Sequence, residues 1–251
     1  MTPTVIVEPE GAVLTLRLNR PEKKNALTRE MYSCLAHALE QADTDERVHA
    51  VLISGSAECF TSGNDIADFL EQPPADMNSP VFRFMRSVLA CRKPIVAAVA
   101  GAAVGIGTTL LLHCDLVYVS RDARLRMPFV NLGLSPEFGS SLLLPQLLGQ
   151  ARAAELLLLG EGFTGADAAE WGVANAALPD GATALEYARE AAHRLAALAP
   201  SAVQDSKRLM KAPGRERLHK VIEEESWLFI QRLSSPEAIA ALSGFVNKTK
   251  A

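Results

Sequence analysis

At 251 residues, with 49% apolar and 22% charged side chains, the chain is long enough for one large domain, or for a domain with a smaller C-terminal part. A net charge of −4 without any basic run leaves no footprint for a nucleic acid, and no apolar run reaches the roughly 18 residues of a membrane helix. The start, MTPTVIVEPEG, lacks the basic and apolar regions of a secretory signal, and Cys34, Cys59, Cys91 and Cys114 form no CxxC pair, so a cytoplasmic protein with reduced thiols is expected.

In chain order, VLTLRL (13–18) alternates Leu14, Leu16 and Leu18 with Thr15 and Arg17, the period of a strand. Thr28 is placed to cap a helix whose apolar positions Met31, Leu35, Leu39 and Ala42 recur at helical spacing. VHAVLIS (48–54) and PIVAAVAG (94–101) are continuous apolar runs, suited to strands covered on both faces. GIGTTLLLHC predicts a helix before a further strand, DLVYVS, and this repetition argues for an α/β architecture. The prolines and small polar residues of EQPPADMNSP (71–80) predict a loop, over a site or simply at the surface. From residue 137 the pattern is nearly all helix, with alanine-rich stretches over about 182–199 and 215–232.

Three stretches have the composition for chemistry. In ECFTSGNDI, small residues after a buried strand let main-chain N–H groups approach a ligand, although an ordinary strand-to-helix connection would look the same. In GAAVGIGTTLLLHCD, Gly105 and Gly107 open a helix, which suits either an anion at its N-terminus or close helix–strand packing. Neither nucleotide fingerprint fits there: Leu110 stands where a dinucleotide loop needs its third glycine, and no Lys-Ser or Lys-Thr follows. His113, Cys114 and Asp115 are adjacent and cannot all face one ion, and His37, His49, His193 and His219 supply no metal-site spacing, so no metal is expected. The third stretch, LGLSPEFGSS, holds Glu137 after Pro136 at what reads as a helix start. There the helix dipole would lower its pKa, while Phe129, Leu134 and Phe138, if they enclose it, would raise it toward the range of a base.

Together, LNRPEKKNALT (18–28), ECFTSGNDIADF, KPIVAAVAGAAVGIGTTLLLHCDLVYVS, FVNLGLSPEFGSSLLLPQLLG and LLLLGEGFTGADAAEWGVAN resemble, in order and spacing, the crotonase or enoyl-CoA hydratase/isomerase superfamily. The resemblance implies an α/β, crotonase-like spiral of repeated β-β-α units over residues 1–200. It further implies a helical extension over 201–251 that trimerises and covers coenzyme A, giving a homotrimer or a dimer of trimers. The implied partner is an acyl-CoA thioester, with coenzyme A part of the substrate and no separate cofactor. Carried over by position, the oxyanion donors are the N–H groups of Ser62 and Ile106. The CoA contacts are Lys23, Lys24, Ala26, Asp65, Ile66, Phe245 and Lys248, and the pocket is walled by Thr109, Phe129, Leu134 and Phe138.

The departures from that pattern narrow the reaction. The two glutamates with which the family's hydratases hold water fall on Thr109 and Phe129, neither of which can transfer a proton at neutral pH. Glu137 instead stands in an SPE segment like that of the peroxisomal-type Δ3,Δ2-enoyl-CoA isomerases, whose base is that glutamate. The resemblance therefore implies movement of a double bond from C3 to C2 by one carboxylate. The alternatives are another acyl-CoA enzyme of this fold (hydrolase, dehalogenase or hydratase) in which Glu137 could act as a nucleophile, and a non-catalytic acyl-CoA-binding protein.

Overall fold

Strands Val5–Glu10 (β1) and Val13–Leu18 (β2) form an antiparallel pair around Gly11, whose φ of 59° suits a residue without a side chain. In this computed structural model residues 2–250 are described, with side chains described through Val246. Thr28 accepts a hydrogen bond from the Met31 N–H and so starts the helix Arg29–Thr44 (α1), whose Met31, Leu35, Leu39 and Ala42 are all buried. The apolar runs become Ala50–Ser54 (β3) and, after the helices Ile66–Glu71 (α2) and Pro80–Ala90 (α3), Ile95–Val99 (β4); both strands are buried throughout. Residues 72–79 between α2 and α3 are the expected loop.

The predicted helix at Gly105 is shorter than its apolar run suggests. After the strand Ala102–Val104 (β5) it consists of Ile106–Thr109 (α4) and a separate 3-10 turn, Leu110–Leu112. Leu116–Ser120 (β6) and Arg124–Arg126 (β7) follow, then Ser140–Leu148 (α5) and Gln150–Ala154 (α6). The region after 137 is not all helix: Gly162–Thr164 (β8) and Ala176–Leu178 (β9) flank Gly165–Glu170 (α7). Strands of three residues carry too little alternation to stand out from helix. Gly181–Ala196 (α8), Pro200–Lys211 (α9), Arg215–Leu233 (α10) and Pro236–Lys250 (α11) complete the chain.

The main sheet has the order β1-β2-β3-β4-β6-β9 and is parallel from β2 onward; β5, β7 and β8 form a second, smaller sheet. Ala188, Ala191, Ala192 and Ala196 of α8 cover one face of the main sheet, over Val13, Leu52, Val96 and Tyr118. The opposite face, with Leu16, Val51, Ile53 and Ile95, belongs to the large core that also holds the buried side of α1. Both faces are therefore dry, which is why β3 and β4 read as unbroken apolar runs. The last helices return to the middle of the chain: α10 packs on α5, and α11 on α2 and the 3-10 turn Val130–Leu132. Among the described residues, no helix is long and apolar enough to cross a membrane.

Candidate active site

Glu137 does not stand in the first turn of a helix. It precedes Phe138 and Gly139, whose φ values of 58° and 75° make a left-handed turn, and α5 begins only at Ser140. The dipole expected to lower its pKa is thus not aligned behind it. Glu137 is 2% exposed, one carboxyl oxygen has no hydrogen-bond partner, and it makes no ion pair among the described residues. Burial, and secondarily the charge of Glu225, raise its pKa to about 8.

A second group of residues connects Glu137 to the loop before α2. Tyr32 of α1 is fully buried, and its phenol is raised well above the usual range by burial, then by the charges of Glu137 and Asp68. Its hydroxyl donates to the Asn64 side chain. Glu137, Tyr32 and Asn64 therefore share one region. Beyond Tyr32 lies a cavity of about 240 Å³, lined mainly by Tyr32, Phe69, Pro73, Pro74, Pro80 and Val81. Residues 72–79 thus supply part of an apolar wall, as the loop reading allowed. Thr109, Phe129 and Leu134, expected to wall the pocket, are buried but do not line this cavity, and the Phe129 ring would lie 3.8 Å from a Cβ placed on Gly105. The ring of Phe138 is engaged with His113, the centroids being 3.9 Å apart.

The main-chain donors differ from the expected pair. The Ser62 N–H donates to the Lys24 carbonyl at 2.9 Å, so this group is already satisfied and does not point into the site. Asp65 N–H also faces the 18–28 segment, donating to the Leu27 carbonyl at 2.9 Å. Between them Gly63, with φ of 89°, turns the backbone, and by alternation the Asn64 N–H points the other way. That is the side on which Thr61 pairs with β5: Thr61 N–H donates to Ala102 and its carbonyl accepts from Val104. The two loops touch, since a Cβ on Gly107 would meet the Thr61 methyl at 2.5 Å and one on Gly63 the Val104 carbonyl at 2.8 Å. Ile106 opens α4, so its N–H has no intrahelical acceptor. Neither Asn64 nor Ile106 donates its N–H to a main-chain acceptor among the described residues.

The residues carried over as CoA contacts divide into two groups. Lys23 and Lys24 are exposed on the 18–28 loop, Lys24 in the left-handed region, with Ala26 half-buried behind them. Buried Asn25 fixes that loop: its amide donates to the Cys59 and Phe60 carbonyls and its oxygen accepts from the Arg20 N–H. Asp65 is committed to structure. It caps α2 through the Ala67 and Asp68 N–H groups and binds the Arg20 guanidinium at 2.6 Å. Burial opposes its charge, yet Arg20 and these N–H donors hold its pKa below the usual carboxylate range. Ile66 is half-buried on α2, against which α11 packs, and α11 carries the partly exposed Phe245. The Lys248 side chain lies outside the described residues.

Sequence reasoning missed four residues here: Asn64 and Tyr32, and two behind Glu137, namely His113 and Glu225. Glu225 is 6% exposed on α10, and its two oxygens accept from the Gly139 N–H at 2.5 Å and the Ser141 N–H at 3.0 Å. Among the described residues no three His, Cys, Asp or Glu side chains gather as a metal site.

Residues 8–251 match the family model for enoyl-CoA hydratase/isomerase. Rat enoyl-CoA delta isomerase 2 is 37% identical over 97% of this chain, which spans 63% of that relative, less than two thirds of its length. The 2,3-dehydroadipyl-CoA hydratase of Escherichia coli K12 is 31% identical over 97% of this chain and 96% of its own length. Among solved structures, Pseudomonas aeruginosa OdaA is 65% identical and superimposes with a TM-score of 0.95 over 97% of this chain and 99% of that one.

Proposed function

Because the chain belongs to the enoyl-CoA hydratase/isomerase family, we propose that it moves the double bond of a 3-enoyl-CoA to C2, with Glu137 as its single proton carrier. The observation that carries this reading is the state of Glu137: a dry carboxyl, unpaired at one oxygen, with a pKa of about 8. Such a group accepts and returns a proton near neutrality, and one group suffices for an isomerisation. Glu137 takes the C2 proton, the electron pair spreads through the dienolate onto the thioester oxygen, and the same carboxylic acid protonates C4. No atom is gained or lost. The N–H groups of Asn64 and Ile106 receive the oxyanion, each such donor being worth about 3 kcal/mol at the transition state.

Water addition is disfavoured by the rest of the site. It needs carboxylates to hold and activate water, and the corresponding positions are the buried Thr109 and Phe129. Glu225, the other buried carboxylate among the described residues, has both oxygens on main-chain N–H groups and is not free to orient a water. A nucleophilic role would need the same ionised carboxylate, and an ester trapped on Glu137 would mark it. In this reading the acyl chain enters the apolar cavity beyond Tyr32. Lys23, Lys24, Ala26, Ile66, Phe245 and Lys248 are the contacts proposed for CoA, in a homotrimer or dimer of trimers.

The test is Glu137→Gln, assayed with 3-enoyl-CoA and 2-enoyl-CoA thioesters by separating isomerised from hydrated product. The wild type is expected to give the 2-enoyl isomer and the variant to lose about 100-fold or more in kcat, the scale of a removed acid–base group. Undiminished isomerisation by the variant, or 3-hydroxyacyl-CoA as the main wild-type product, overturns the assignment.

A further inference from the structure

We propose that His113 and Glu225 are positioning residues that grip the Phe138–Gly139 turn from its two sides and thereby hold Glu137 in the site. This rests on the reading of Glu137 as the proton carrier. The turn needs support, because Phe138 is a bulky residue at a φ of 58°, a conformation that persists only where the surroundings impose it.

On one side, His113 Nε2 lies 2.6 Å from the Phe138 carbonyl, and the imidazole stacks on the Phe138 ring with 25° between the planes. A carbonyl only accepts, so Nε2 carries the proton. Burial holds the His113 pKa at about 4, Lys211 adding to that effect, so the ring is neutral and keeps this tautomer at physiological pH. The backbone of His113 is itself anchored: its carbonyl accepts from Lys211 Nζ at 2.6 Å, and the same Lys211 pairs with Asp115 at 2.9 Å.

On the other side, Glu225 reaches from α10 to the Gly139 and Ser141 N–H groups. Gly139 permits the approach, since a Cβ there would meet the Leu218 methyl at 2.5 Å and Ile222 Cγ1 at 3.3 Å. Burying an imidazole and a second carboxylate is unfavourable unless each is hydrogen-bonded, and here both bond the one peptide unit that joins Phe138 to Gly139, His113 at its carbonyl and Glu225 at its N–H, with Glu225 also reaching the Ser141 N–H. Neither side chain bonds the Glu137 carboxyl, so both act on it through the backbone, leaving one of its oxygens free for substrate.

His113→Phe keeps a stacked ring and removes the donor, whereas His113→Gln restores an N–H. We expect His113→Phe to lose about 100-fold in kcat with KM changed less than about 2-fold, the effect of misplacing a reacting group by about 1 Å. We expect His113→Gln to recover most of that loss. Glu225→Gln keeps one acceptor oxygen but removes a charge near Glu137. The other titratable groups there are Tyr32, Asp68 beside Tyr32, Glu224 beside Glu225, and Lys211 beside His113. All of these remain in the variant, so the acid limb of kcat/KM should move to lower pH, while a purely structural cap would leave it in place.

A 13C-carboxyl NMR titration of Glu137, assigned through Glu137→Gln, reads the same downward shift without any turnover. If the wild type fails to isomerise, yet the Glu137 resonance is displaced in His113→Phe and restored in His113→Gln, the proposed reaction falls and the positioning stands. A folded His113→Phe protein with wild-type kcat, or a Glu225→Gln protein in which the Glu137 titration does not move, overturns the proposal.

Discussion

Replacing Glu137 with its neutral isostere should make the protein more stable, and by an amount that depends on pH. The Glu137 carboxyl is raised from an ordinary 4.5 to about 8 in the fold. Below about pH 4.5 it is protonated in both folded and unfolded chains, so charge contributes nothing to the difference between Glu137 and Gln at this position. As the pH rises, the unfolded chain releases the proton freely while the folded chain must keep it, and stability is lost until the pH passes the folded pKa. The loss runs at about 1.4 kcal/mol per pH unit, which gives about 3 kcal/mol at pH 7 and levels off near 5 kcal/mol above pH 8. At 2% exposure, solvent screening does not reduce this appreciably. Equilibrium urea unfolding of the two proteins at about pH 5, 7 and 9, at one fixed protomer concentration, measures it. A difference that stays flat across that range, or a wild type more stable than Glu137→Gln at the high end, would refute the argument that burial keeps this acid near neutrality.

Two further outcomes follow from the packing. Gly139→Ala should destabilise the protein by about 1–3 kcal/mol, because its Cβ would meet Leu218 and its φ of 75° disfavours a side chain; the shift in urea midpoint reports it. Leu209 and Met210 of α9 are 62% and 80% exposed, and Trp227 and Leu228 of α10 are 45% and 46% exposed. In the proposed trimer or dimer of trimers these side chains would be covered, so sedimentation or light scattering should give a mass of three or six chains and Leu228→Lys should lower it; a monomeric wild type would contradict the proposed assembly.

The parts of the fold that were readable from the sequence are those where one physical requirement acts over many residues. Strands β3 and β4 are covered on both faces, so no polar residue interrupts them before Ser54 and the glycine after Ala100. Thr28 announces α1 because a hydroxyl is needed where the first N–H groups lack partners. Where a single backbone rotation decides, the sequence is silent. Ser62 and Asn64 are both small polar residues in one loop, yet the positive φ of Gly63 sends one N–H to Lys24 and leaves the other facing β5. Phe138 is a similar case: nothing in its type suggests a left-handed turn, so Glu137 read as a helix-start acid instead of a residue standing before one.

Glu225, in contrast, left a signal. It is one of three consecutive acids in RERLHKVIEEESWLFIQRL, a run that invites reading as a solvated face. The spacing of Leu218, Ile222, Glu225 and Phe229 is four, three and four, which places this acid, and neither of its neighbours, in the apolar stripe of α10. Glu223 and Glu224 are indeed exposed while Glu225 is buried with Ile222 and Phe229. An ionisable group held in register with leucine, isoleucine and phenylalanine must meet donors from another element, because burying it alone would cost several kcal/mol. Helix starts offer such donors, and the glycine that opens α5 is the place where a neighbouring helix can come close enough to reach them. The acid that tunes Glu137 is therefore recognisable by helical phase, and its target by a glycine at a helix N-terminus, although 86 residues separate the two in the chain.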